Sequence, residues 1–203
     1  ANSIIRCLQE PRIPIFGGGG STAAIEALAP VVDVFMLWGE PLAVIAEFMQ
    51  RVRNAAGEFK GEQLTFSVST RPILGRTEDE AWNRAYRFLE QTKALLAGAP
   101  AYQGESIGAK RLLDAARQGA VHDSCLWTEM AAATGAYGNT TALVGTAETV
   151  AQALFEYYKL GASRLLIRGF DPLFDVEDYG HELIPRLREL VAEHDRQHSV
   201  VAS

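Results

Sequence analysis

A chain of 203 residues is long enough for one domain with a sizeable core. Nearly half of it is apolar (48%) and 22% is charged, which is a globular composition. The formal net charge of −6 argues against non-specific nucleic-acid binding, which needs Lys and Arg to displace counterions from phosphates. No apolar run reaches the roughly 18 to 20 residues that span a bilayer, and no secretory signal opens the chain. The first residue is Ala1 rather than Met, so a preceding segment is expected. Cys7 and Cys125 lie far apart and fit no metal-ligand spacing; they read as packing thiols of a reducing, cytoplasmic compartment.

In chain order, residues 13–16, 34–38, 64–70 and 164–168 read as short buried strands. Each is rich in branched or aromatic residues and nearly continuous rather than alternating, the pattern of strands covered on both faces. Helical patterns follow at 21–29, 42–55, 77–95, 146–160 and 175–193. The second carries a mostly apolar stripe from Leu42 through Ile45, Met49 and Val52. The third opens on Thr77-Glu78-Asp79-Glu80, a capping box. The fourth ends at Gly161, a C-cap signal. Alternating strands and helices of this kind build parallel sheets with right-handed crossovers. Residues 98–139 form an insertion before the last strand, with helical pieces near 109–117 and 125–133; its Gly, Pro and Ser make it a candidate lid without a strong buried stripe. Residues 194–203 read as a frayed polar tail. Four β/α units are too few for a closed eight-stranded barrel, so a small open sheet and half a barrel both fit the pattern.

The strongest local signal is a strand that runs into Gly17-Gly18-Gly19-Gly20 and then into a helix beginning Ser21-Thr22. Glycines let the backbone approach a ligand, and free amides at a helix start suit a phosphate. A tight strand-to-helix turn without a ligand explains the same residues. Trp38 ends the second strand and either walls a ligand or packs in the core; Glu40 behind it reads as a cap more readily than as a base. Ser69 and Arg71 end the third strand, where Arg71 holds either an anionic group or a neighbouring carboxylate. Arg168 and Asp171, at the end of the last strand, read as a bracing ion pair. His122-Asp123-Ser124 contains the residue types of a hydrolase triad, but sequence neighbours rarely converge in triad geometry and no G-x-S-x-G elbow exists. His181 is expected on a solvent-facing side of its helix.

The runs 16–21, 32–41 and 76–82, with 141–151 and 166–170, resemble the second half of alkanesulfonate monooxygenases, within the bacterial luciferase-like flavin monooxygenases. Order and spacing match across about residues 11 to 192. The resemblance implies an α/β fold: the C-terminal half, strands five to eight, of a (β/α)8 TIM-type barrel, with a helical insertion before the last strand. That half would occupy residues 1–193, with the polar tail behind it. It implies reduced FMN as a diffusible co-substrate, delivered by a separate NAD(P)H-dependent reductase, and O2 as the oxidant. It also implies that Gly18, Gly19, Gly20, Ser21 and Thr22 hold the flavin phosphate and that Trp38 faces the active site. No catalytic residue and no metal ligand is assigned.

Two departures stand out. Where the family carries an Arg and a His facing the active site, this chain has Ser69 and Arg71. A further family Arg falls within 135–140, where no Arg stands; Asn139 is the candidate there. The expected substrate is therefore a small organic molecule other than a plain alkanesulfonate, with another organosulfur compound as one candidate. Nothing matches the first four β/α units. The expected partner is an N-terminal half or a second copy, because inward side chains such as Phe16, Phe35, Leu37, Val68 and Ile167 would otherwise meet water. The alternative is a non-catalytic truncated homologue that binds phosphate or flavin, or associates with itself.

Overall fold

The structure, a computed structural model, describes residues 8–10, 12–98, 102, 104–138 and 140–201, with only the backbone described at 59 and 199–201. Four parallel strands form a curled sheet in the order β1 (Phe16–Gly17), β2 (Val34–Trp38), β3 (Thr65–Leu74) and β7 (Ala162–Ile167). β-branched and aromatic side chains dominate these runs, as pleated, half-buried surfaces favour. The intervening helices pack on the convex face: α1 (Thr22–Leu28), α2 (Leu42–Ala56), the short α3 (Glu58–Gln63), α4 (Glu78–Leu96) and, before β7, α7 (Ala147–Lys159). Their caps are the expected ones. Thr77 Oγ1 accepts from the Glu80 amide at 3.2 Å, and Thr146 Oγ1 accepts from the Thr149 amide at 3.2 Å.

Phe35, Leu37, Phe66 and Val68 point outward into the main core, against Ile45, Met49 and Val52 of α2 and Val150, Leu154 and Tyr157 of α7. This corrects the facing expected for three of them. Phe35 is 0% exposed, Leu37 4% and Val68 0%, and Ile167 also packs on that core. Only Phe16 behaves as expected, at 46% exposed on the concave side, where Met36 (44%) and Leu166 (50%) join it. The runs are apolar at both parities, so nothing in them tells which alternate set meets the helices, and a shift of one residue flips every side chain.

The insertion holds more structure than its composition suggests. It contains α5 (Ile107–Gln118), a tight hairpin of β4 (Val121–His122) and β5 (Leu126–Trp127), and α6 (Glu129–Ala133). Downstream, β6 (Ala142–Gly145) pairs antiparallel with β5 and parallel with β3. β3 therefore has two partners on one edge, β2 along 65–69 and β6 along 71–74, while β7 takes the other edge. α5 does carry a buried stripe, Ala109, Leu112 and Ala115, set against Ala131 and Ala136.

After β7 come α8 (Pro172–Asp178), a π-helical turn (Tyr179–Leu183) and α9 (Ile184–Val201). The helix runs past the point where a frayed tail was expected. Tyr158 Oη donates to Asp195 at 2.7 Å, and His194 packs edge-on against Phe155 and Tyr158. Tertiary contacts of this kind hold the end of a helix whose apolar anchors, Ile184, Leu187 and Leu190, lie further upstream. His181 is exposed, in the π-helical turn. Among the described residues no helix is long and apolar enough to cross a membrane.

Candidate functional site

A cavity of about 650 Å3 opens where β1, β2, β3 and β7 end, on the concave side of the sheet. Ligand pockets of parallel α/β sheets lie at this end of the strands. Gly18, Gly19, Gly20 and Ser21 line one side, Trp38 and Ser69 the middle, and Leu166 and Arg168 the far side. Thr22 and Arg71 are not part of the lining, and Asn139 lies outside the described residues.

The glycines have a packing reason of their own. A Cβ on Gly18 would stand 2.9 Å from the Met36 carbonyl oxygen, one on Gly19 2.6 Å from the Ala24 methyl, and one on Gly20 3.0 Å from Ile107. Ser21 caps α1, its Oγ accepting from the Ala24 amide at 3.1 Å, so its hydroxyl hydrogen remains to be donated. Among the described residues the amides of Gly19, Gly20 and Thr22 donate to no carbonyl outside the regular ladders and helices. A free set of this kind at a helix start favours an anion.

α5 roofs the cavity, and its first turn starts ahead of the helical piece expected at 109–117. Ser106 caps it, accepting from the Ala109 amide at 3.1 Å, and Ser106, Ile107 and Gly108 all line the cavity. Two serine-capped helix starts thus meet at one end of the space. Gly108 sits under Trp38, where a Cβ would come within 3.0 Å of the ring. The serine three residues before Ala109 was the available signal.

Glu40 also lines the cavity and is 1% exposed. It caps no helix: Asp123 takes that role, accepting from the Leu42 amide at 2.9 Å. Arg111 of α5 reaches Glu40 with Nε at 2.8 Å and with Nη2, while its guanidinium lies 4.0 Å over the Phe48 ring. Burial pushes the Glu40 carboxyl up, and Arg111 pulls it back toward the charged form. His122, Asp123 and Ser124 belong to the hairpin; His122 Nε2 lies 2.8 Å from the Ala115 carbonyl oxygen, far from triad geometry.

At the far side, the expected Arg168–Asp171 pair is not formed among the described residues. The carboxylate that folds back there is Asp175, 2.5 Å from Arg84 and accepting from the Asp171 amide at 2.9 Å. Arg71 donates to the Gly169 carbonyl at 3.2 Å and lies over Phe170. Cys125 is buried, and burial pushes its thiol up to about 11; Cys7 lies outside the described residues. Among the described residues no group of three or more His, Cys, Asp or Glu is placed to hold a metal ion.

The sequence model of the luciferase-like monooxygenases matches residues 4–164. The chain belongs to that family. Among solved structures, this luciferase-like chain is similar to a riboflavin lyase determined with modified FMN and riboflavin (TM-score 0.65, 18% identity), covering 88% of this chain and 43% of that one. It is similar to DmoA from Hyphomicrobium sulfonivorans (TM-score 0.62, 17% identity, 86% and 41% covered). A long-chain alkane monooxygenase gives a TM-score of 0.59 at 18% identity, with 88% and 41% covered. The luciferase-like chain thus spans less than half the length of each of these relatives. At such identities the likeness shows the shared fold, a curled α/β sheet in the form of a half-barrel.

Proposed function

We propose that this chain forms strands five to eight of a (β/α)8 barrel that uses reduced FMN and O2 to oxygenate a small organic substrate, with organosulfur compounds among the candidates. The observation that carries the reading is convergence. The glycine loop, Trp38 and Ser69, distant in sequence, line one cavity at the carboxyl ends of parallel strands. Its volume of about 650 Å3 lies within the range of small-molecule sites.

The residues present suit a flavin phosphate. The amides of Gly19, Gly20 and Thr22, with the hydroxyl hydrogens of Ser21 and Ser106, supply donors and no negative charge at that end. Reduced FMN, delivered by a separate NAD(P)H-dependent reductase, would supply the activation of oxygen. Trp38 walls the space in which substrate would lie, Ser69 offers it a hydroxyl, and Arg71 and Asn139 stand as outer candidates. α5 excludes water from above. The setting proposed for the molecule is the cytoplasm.

Exposure of Phe16, Met36 and Leu166 on the concave face favours a partner that completes the barrel, either an N-terminal half or a second copy. It equally supports a self-associating, non-catalytic module. Titrating the chain with FMN and with riboflavin tests the phosphate assignment that the first reading needs. FMN is expected to bind at least about tenfold more tightly, as charge-assisted hydrogen bonds to phosphate require, and Ser21→Ala to narrow that gap. Equal affinity for the two flavins would sink the phosphate assignment.

A further inference from the structure

The end of β7 carries an arginine, Arg168, that forms no ion pair among the described residues. β3 and β7 run in parallel register, Ser67 opposite Arg164, Ser69 opposite Leu166 and Thr70 opposite Ile167. The Arg168 amide then donates to the Thr70 carbonyl at 3.1 Å. One step beyond, Arg71 and Arg168 stand side by side on neighbouring strands. Ser67, Ser69, Leu166 and Arg168 all line the cavity. Alternation along β3 therefore puts Arg71 on the same concave face, two residues past Ser69.

Like charges side by side on a sheet repel, and two of the carboxylates nearby are committed elsewhere. Asp175, 2% exposed, is bound to Arg84, and Glu40 is bound to Arg111. Among the described residues Arg168 takes part in no ion pair, and it is exposed to the cavity. The charged groups of the lining are Arg111, Arg168 and Glu40, two positive and one negative, so the cavity is net positive by one in a chain whose net charge is −6. Burial lowers the Arg71 guanidinium's proton affinity, and the neighbouring Arg168 lowers it further. An anion set between the two would relieve that repulsion.

We infer that Arg168, with Arg71 beside it and Ser69 below, anchors a negatively charged group, a carboxylate, sulfonate or phosphate, on a molecule bound in this cavity. β2 and β3 separate β7 from the glycine loop, which puts Arg168 three strand spacings, about 14 Å, from Gly18–Gly20. The flavin phosphate at that loop and the anion at Arg168 would be different groups. That the second molecule is the substrate rests on the proposed flavin reading; the anion site itself does not.

The test compares hexanoate and 1-hexanesulfonate with the neutral hexanamide, each titrated into the chain and followed by calorimetry. The apolar walls Met36 and Leu166 accept the alkyl chain in all three. Both anions are expected to bind at least about tenfold more tightly than the amide, the size of a charge-assisted hydrogen bond. Arg168→Gln should bring the ratio close to one, Arg168→Lys should restore part of it, and Arg71→Gln should reduce it. The preference of the protein for FMN over riboflavin should stay unchanged in Arg168→Gln. A ratio near one in the unaltered protein, no anion binding at millimolar concentration, or a ratio that survives Arg168→Gln would overturn the inference. Loss of the FMN preference in Arg168→Gln would also overturn it, by assigning Arg168 to the flavin phosphate. Loss of that preference in Ser21→Ala alone touches only the flavin reading. Circular dichroism of each variant checks that this exposed position leaves the fold intact.

Discussion

Arg111, on a helix of the insertion, grips Glu40 at the end of β2 with two donors of its guanidinium, across 71 residues of sequence. Glu40 is almost wholly buried, so removing its partner leaves a buried, unpaired carboxylate. Arg111→Ala is expected to destabilise the fold by about 3 to 5 kcal/mol. The loss should depend on pH. Burial raises the Glu40 carboxyl in the folded state, so the folded state of the variant holds its proton to higher pH than the unfolded state does. Stability of the variant is then greatest at low pH and falls as pH rises through the folded value. Urea melts at pH 5 and pH 7.5 should show a smaller gap from the parent protein at pH 5. A gap independent of pH would mean that Glu40 is not the group left behind.

Asp33 ties the start of β1 to the sheet. It accepts from the Ile15 amide at 2.7 Å and pairs with Arg12. The Arg12 hydrogen bonds hold its carboxyl well below the usual carboxylate range. Such a group contributes stability above its unfolded value, lost as pH falls through the folded one. Asp33→Asn should speed hydrogen exchange at Ile15 at neutral pH, with little change at Val68 in the middle of the sheet. Unchanged exchange at Ile15 would count against this anchor.

Gly108 sets how closely α5 lies on Trp38. Gly108→Val should overpack that contact at a cost of roughly 1 to 3 kcal/mol. Trp38 emission should shift to the red as the helix lifts and water enters. An unshifted spectrum with unchanged stability would show that α5 has slack there.

Cys125 should be inert in the folded protein, because its thiol is buried and titrates only near pH 11. In a Cys7→Ser background, a thiol reagent at pH 8 should label nothing until denaturant unfolds the chain. Rapid labelling without denaturant would place Cys125 in a loosely closed pocket.

Three of the four parallel strands and the main helices were legible from apolar runs, capping residues and glycine stops; the first, expected over 13–16, is only Phe16–Gly17. The glycine loop and Trp38 were legible as site candidates for the same local reasons. What escaped depends on contacts distant in sequence. β6 is four residues long and earns its strand character by pairing with β3. Which parity of β2 meets the helices cannot be seen when Phe35, Met36 and Leu37 are all apolar. The Glu40–Arg111 pair joins a position that reads as a helix cap to one inside a helical piece of the insertion, 71 residues on. Asp175 displaced Asp171 as the structural carboxylate for a similar reason, since its partner Arg84 lies on α4.

The shared edge of β3 bears on how this architecture tolerates rearrangement. β2 and β6 divide that edge end to end, so the insertion is sewn into the sheet by the hydrogen bonds of Arg71–Leu74. It is not a removable cassette. Splicing the end of α4 directly to α7 would strip β6 from β3 and bare a row of peptide groups directly above the cavity. It would also remove Thr141, whose hydroxyl donates to the Gly39 carbonyl at 2.6 Å and braces the turn behind Trp38. Length changes are therefore expected to be absorbed upstream, in the connection between α4 and α5, while the stretch from the hairpin to β6 travels with the barrel strand that it completes.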